Sequence, residues 1–163
     1  AVGAIGLAVV VYLSHHAGMN QGAVGLAYVK IAAAKTALPF WDAFFKGVLC
    51  NLLVCLAVWM ALAGRSVTDK VFAILFPISA FVAAGFEHCV ANMYFIPYAL
   101  LIKDFDPNFI SRAGRGIQHL DILTWKSFFV DNLLPVTIGN IIGGAVLVAA
   151  VYWSVYLRGR AGS

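Results

Sequence analysis

The longest apolar span of the chain, residues 71–102, carries a glutamate and a histidine side by side near its middle, in the run Gly85-Phe86-Glu87-His88-Cys89-Val90-Ala91-Asn92-Met93. Ionisable groups at bilayer depth are expensive. They face a bundle interior or a water-filled cavity and mark paths for ions or protons. A chain that holds Glu87 and His88 there must fold so that other polar groups reach them. That requirement limits it to a polytopic helical bundle with an interior path.

The remaining apolar residues also come in long blocks. The chain is 63% hydrophobic and 11% charged, against roughly half and a quarter for soluble domains. It therefore reads as an integral, multi-pass membrane protein in contact with lipid. The net charge of +4 is a weak excess with no basic run and no groove-reading motif, so no nucleic-acid partner is expected. Cys50, Cys55 and Cys89 lack metal-ligand spacing and read as small buried packers; neither metal nor cofactor is expected.

The blocks give four spanning segments. Residues 1–17 are too short for a bilayer of about 30 Å and read as the end of a span. The chain opens inside this helix, with no initiating Met and no basic leader, so it is taken as a piece of a longer protein. Residues 18–40 are mixed and rich in Gly and Ala. Residues 44–64 form a complete span with Asn51 as its polar residue at depth. Residues 69–103 are too long for one straight helix and contain Pro77, Gly85 and Pro97. They predict two half-helices with an irregular joint near residues 79–85, since broken spans need protein or water partners for the freed backbone. A polar stretch, 103–131, precedes a last span at 134–157 opened by Pro135, with the interfacial aromatics Tyr152, Trp153 and Tyr156 near its end.

An internal repeat is visible. With Gly3 set against Gly143, Leu7 meets Leu147, Val11 meets Val151, Tyr12 meets Tyr152 and Ser14 meets Ser154. Counterparts of the two spans at 44–64 and 69–103 would then precede Ala1. The parent would hold six spans as two repeats of opposite topology, and this chain would run from the end of the third span to the sixth. With both ends of such a parent inside, Arg65, Lys70, Arg158 and Arg160 would be cytoplasmic. Lys30, Lys35, Lys46, Lys103, Arg112, Arg115 and Lys126 would be outside. The positive-inside rule does not favour that arrangement; either the orientation is reversed or the outer charges form an anion funnel.

The runs KGVLCNLLVCLAVWMA, FEHCVANMYFIP and NLLPVTIGNIIGG together resemble the formate/nitrite transporter family, in particular its formate channels. The resemblance covers residues 1–157 and implies an all-α, aquaporin-like inverted-repeat bundle of six helices with the fifth broken. It implies a homopentamer in the bacterial cytoplasmic (inner) membrane, with one pore per protomer that passes formate or similar small monovalent anions. The missing N-terminal half would supply the second constriction of the pore.

The resemblance assigns His88 to the central pore position. Chemically, an imidazole can hydrogen-bond formate where a carboxylate would repel it and a lysine would hold it too long. It can also change charge near neutral pH and hand over a proton, so that formate leaves as neutral formic acid. An isolated histidine would more simply be a packed residue bonded to a backbone carbonyl. Glu87 falls about 100° from His88 on a helix and needs partners of its own. Lys35, Asn51 and Asn92 match the family positions that form a polar network with it, although on spacing alone Lys35 reads as a snorkelling interfacial lysine. Phe81 matches a constriction residue, where a dewetted gap excludes hydrated ions; packing is its plainer role. Asn140 either turns its amide toward the anion or bonds the backbone of a broken helix. Gly139, Gly143 and Gly144 read as sites of close helix approach. His15, His16 and His119 read as solvated.

Two other classes fit less well. A membrane redox subunit with haem ligated by His88 would call for a second histidine at similar depth for two-histidine ligation; this chain has none there, and the missing half would have to supply it. An intramembrane enzyme would need a nucleophile–base, paired-aspartate or HExxH arrangement, and none lies in the spans. The Asn-Pro-Ala boxes of water and glycerol channels are also absent.

Overall fold

A computed structural model describes residues 2–113 and 116–157 of the chain. Among these, every regular element is helical. Helix α1, Val2–Leu13, runs into a 3-10 stretch at His16–Gly22. His15, Asn20 and Gln21 take positive φ angles of 56°, 51° and 56° there, and the chain bends by 53° before it continues as α2, Ala23–Thr36. Helix α3, Phe40–Ala63, is 24 residues long and α7, Trp125–Tyr156, is 32. Both are long and apolar enough to cross a membrane, and the bent pair of α1 and His16–Thr36 passes the same test together.

Helix α2 arises where the sequence shows only a mixed stretch. Alanine is the best helix former, and the buried positions Gly25, Val29, Ala32, Ala33 and Thr36 recur on one face. Their smallness hid the amphipathic contrast. Lys30 and Lys35 add polar groups that read as loop.

The broken span is α4, Val67–Ala83, and α5, Cys89–Phe105, each of 17 residues. Each alone falls short of the roughly 20 residues a straight span needs. A reciprocal capping box opens α4: the Ser66 hydroxyl accepts from the Asp69 N–H at 3.1 Å, and the Asp69 carboxylate accepts from the Ser66 N–H at 2.9 Å. The interruption spans residues 84–88 rather than 79–85. Pro77 and Pro97 are buried inside α4 and α5, and neither ends its helix. Each proline removes one ladder bond, which a buried helix tolerates when neighbours compensate. A glycine with φ of 65°, Gly85, does break the chain.

Helix α6, Pro107–Ala113, starts with proline at its first position. The Asp106 carboxylate accepts from the Phe109 N–H at 2.9 Å. Helix α7 begins well before Pro135, at a capping box in which Thr124 and Ser127 exchange side-chain and backbone hydrogen bonds. The wide π-helical turn at Phe128–Leu133 lies just upstream of Pro135. Proline inside a helix clashes with the carbonyl four residues back, and a widened turn relieves that clash without ending the helix.

The chain forms two compact units: residues up to Phe40 with Cys89–Pro135, and Trp41–His88 with the chain from Val136 onward. In the first, α1, α2, α5, α6 and the start of α7 bury a core that includes Ala8, Val29, Ala32, Ala33, Ile96, Tyr98, Leu100, Ile102, Phe109, Leu123 and Phe128. Tyr28 meets Tyr98 edge-on at 4.7 Å. The Lys103 ammonium donates to the Leu120 and Leu123 carbonyls, and the Trp125 indole donates to Asp104 at 2.9 Å, which ties the polar stretch to the end of α5. His15 and His119 are exposed and His16 is half-buried.

In the second unit α3 packs on α7 through glycine. A Cβ on Gly139 would run into the Phe44 carbonyl, and one on Gly143 into the Val48 carbonyl. The outward faces stay apolar: Phe72 and Phe76 of α4 are 52% and 66% exposed, as suits a lipid-facing surface. Trp59 touches the rings of Tyr152 and Tyr156 at 6.2 and 6.1 Å. Arg115, Arg158 and Arg160, and the side chain of Arg112, all used in the charge-based orientation, lie outside the described residues.

Candidate functional site

The site is built on the joint between α4 and α5. Helix α4 ends in a Schellman motif: the Phe86 N–H donates to the Phe81 carbonyl at 3.0 Å, and the Gly85 N–H to the Val82 carbonyl at 3.1 Å. This pairing needs a left-handed residue just past the helix end, the place glycine fills without strain. Carbonyls that would otherwise be orphaned at depth are thereby satisfied. The turn carries the chain back so that the Phe81 and His88 rings face each other, centroids 6.2 Å apart and tilted by 35°.

Residues 86–88 lie outside any helix, so the helical angle expected between Glu87 and His88 does not apply. Glu87 is buried, 3% exposed, and His88 is half-buried.

Non-helical backbone at depth must find partners, and Asn140 supplies one. Its amide nitrogen donates to the Glu87 carbonyl at 3.0 Å and to the Gly47 carbonyl at 2.9 Å. The Asn51 amide donates to the Asn140 carbonyl at 2.6 Å, and the Glu87 N–H reaches the Lys46 carbonyl at 3.4 Å. Of the two roles open to Asn140, the structure displays the second: its amide nitrogen bonds the broken backbone one residue before His88. Asn51 steadies the helix that carries it.

Replacing Asn140 by Leu removes this clamp and takes a donor from the Glu87 carbonyl, which has no helical partner. A buried group left short in this way costs about 1–3 kcal/mol. The expected outcome is a lower apparent Tm in detergent and faster amide hydrogen exchange in peptides covering the joint. Unchanged exchange there would show that the joint holds its shape without Asn140.

The other expected polar residues lie in the first unit. The Asn92 amide of α5 donates to Asn132 Oδ1 at 2.8 Å, and Asn132 Nδ2 donates to the Lys35 carbonyl at 2.9 Å. Asn92 and Asn132 are fully buried. Sequence reading misses Asn132. Its local signal is a polar residue close before Pro135, which reads as loop, whereas it sits inside α7. Among the described residues, no group of three or more His, Cys, Asp or Glu side chains gathers to hold a metal ion.

The arrangement offers one imidazole and one aromatic ring at a helix break, a backbone clamped by amides, and apolar surroundings. Such a constellation can bind and release a small polar solute.

Residues 1–154 match the formate/nitrite transporter family. The chain is 45% identical over 158 residues to the formate channel FocA of Escherichia coli (strain K12), covering 96% of this chain and 55% of that protein. It is 46% identical over 142 residues to the formate channel FocB of the same organism, covering 86% and 50%. It also resembles the solved structure of a pentameric formate channel with formate bound, with a TM-score of 0.87 and 43% identity over 96% of this chain and 62% of that one. The chain thus spans about half the length of the curated relatives it matches.

Proposed function

The chain belongs to the formate/nitrite transporter family, and from that premise we propose that it forms part of a channel that carries formate and similar small monovalent anions across a membrane. The observation that carries the reading is the Phe81–His88 pair at a clamped helix break, in a chain 45% identical to a formate channel. The fold is that of an integral membrane protein of this family. Assembly as a homopentamer and residence in a bacterial cytoplasmic membrane belong to the proposal, supported by the similarity to a pentameric formate channel and to Escherichia coli proteins.

In this reading His88 is the one hydrogen-bonding side chain an anion meets between apolar constrictions. A neutral imidazole can donate from one ring nitrogen and accept at the other. Protonated, it attracts formate and can pass it a proton, and the acid then leaves uncharged. Formate flux therefore increases as pH falls. The Phe81 ring narrows the path next to the imidazole, so that water cannot follow as a continuous shell. Lys35 supplies a cation and Asn92 an amide, both of which favour anions.

The test is formate uptake into proteoliposomes that carry the protein at its full natural length. Uptake well above protein-free vesicles is expected, and none above that level would end the proposal. Phe81→Ala in the same assay should raise the flux of larger monocarboxylates relative to formate by about tenfold, the scale on which a single methylene discriminates in an apolar site. An unchanged ratio would reduce Phe81 to packing.

A further inference from the structure

We propose that Asn132 is a positioning residue for anion entry, one that fixes both the backbone that carries Lys35 and the sense of the Asn92 amide; the inference rests on the channel reading above. The geometry runs one way. The Lys35 backbone oxygen can only accept, so Asn132 must turn Nδ2 toward it, at 2.9 Å. Asn132 then presents Oδ1 to Asn92, which must answer with its own amide nitrogen, at 2.8 Å. An amide has two distinct ends, and here a single carbonyl dictates both orientations in turn. The direction in which Asn92 offers its oxygen and its second amide hydrogen is thereby fixed by a residue on another helix.

The carbonyl concerned is a special one. Lys35 lies in the last turn of α2, where carbonyls lose their helical partners and the dipole turns negative. The Ala37 N–H donates to the Ala33 carbonyl at 3.1 Å. The Thr36 hydroxyl lies 3.1 Å from the carbonyls of both Ala32 and Ala33. The Lys35 carbonyl, nearer the helix end, is taken by Asn132. A bare carbonyl there would present negative charge to an approaching anion and would leave the Lys35 stem free to swing.

Asn132 is able to reach both partners because it belongs to the π-helical turn Phe128–Leu133. Such a turn rotates the side chains beyond it relative to an unbroken α-helix, and π turns recur at functional sites. Asn132 is 0% exposed and reaches α2 and α5 from α7, so one side chain joins three elements of the first unit.

The test is a double-mutant cycle on the concentration dependence of formate uptake, in proteoliposomes of the protein at full natural length. Asn132→Leu should raise the half-saturating formate concentration about tenfold, the worth of one hydrogen bond involving a charged group, while maximal flux falls less than about twofold. Lys35→Met should give a similar shift. The combined variant should be no worse than Lys35→Met alone, because residues acting through one another are not additive. If the two shifts multiply in full, or if Asn132→Leu leaves half-saturation unchanged, Asn132 is merely structural and the inference falls. Should Asn132→Leu not assemble, as judged by size exclusion, Asn132→Ser carries the same cycle with the same expected outcomes. A wild-type protein that passes no formate sinks the channel reading itself. A conducting wild type with an indifferent Lys35→Met sinks this inference alone.

Discussion

Proteoliposomes carrying His88→Phe are expected to lose both most of their formate flux and all of its response to pH between 5 and 8, the interval in which an ordinary histidine changes charge. Phenylalanine keeps a flat ring of similar size opposite Phe81 and so preserves the packing at 6.2 Å. The loss is confined to the hydrogen bond to the anion. A bond to a charged group contributes about 1.5–3 kcal/mol, which translates into flux lower by roughly 10- to 100-fold. His88→Asn separates the two parts of the mechanism. Its amide can still bond formate but cannot titrate, so flux should survive in part while the pH response flattens. The clamp leaves the joint in place in both variants, since Asn140 binds the backbone carbonyl of Glu87, which both substitutions keep. Wild-type flux from His88→Phe at every pH across that interval would refute the central-histidine mechanism.

Glu87 and His88 stand out in the sequence because two ionisable groups in an apolar run admit few folds, and the structure buries the first and half-buries the second. The break beside them was legible in kind and misplaced in position. Pro77 drew the expected joint toward the middle of α4, yet Pro77 stays helical and Gly85 carries the turn. The difference is physical: proline removes one ladder bond and keeps a helical φ, whereas glycine can take the left-handed conformation a Schellman ending requires. The glycines of the last span were also legible. Gly139 and Gly143 lie four apart on one face, and that face meets the backbone of α3.

Two things were out of reach of pattern. Helix α2 has Gly25, Ala32 and Ala33 on its buried face, so its inward and outward sides differ in size more than in hydropathy. Asn132 acts through partners far away in sequence, Lys35 and Asn92. No local spacing announces a side chain whose bonds depend on how three helices come together. Polar residues near a proline resemble a loop until the widened turn that accommodates Pro135 is seen.

Gly143→Ala should be the most damaging single-methyl change in the second unit, and Gly139→Ala should come close behind. The added Cβ at Gly143 meets the Val48 carbonyl oxygen, and at Gly139 the Phe44 carbonyl oxygen. A backbone oxygen cannot rotate away as a side chain can, so the two helices must separate. Within a bilayer no hydrophobic drive holds helices together, and close packing with interhelical hydrogen bonds must do so. Separation strikes both, since the Asn51–Asn140 and Asn140–Gly47 bonds cross the same contact. Overpacking alone costs about 1–3 kcal/mol, and the strained bonds add to it. That predicts an apparent Tm lower by roughly 5–10 °C, measured by size exclusion after heating in detergent. Gly3→Ala is the control: a Cβ there meets nothing within 4 Å among the described residues, and alanine improves helix propensity by about 1 kcal/mol, so its Tm should hold or rise. If Gly143→Ala melts where the wild type does, the α3–α7 contact is looser than the glycines imply, and the clamp on the joint must draw its rigidity from elsewhere.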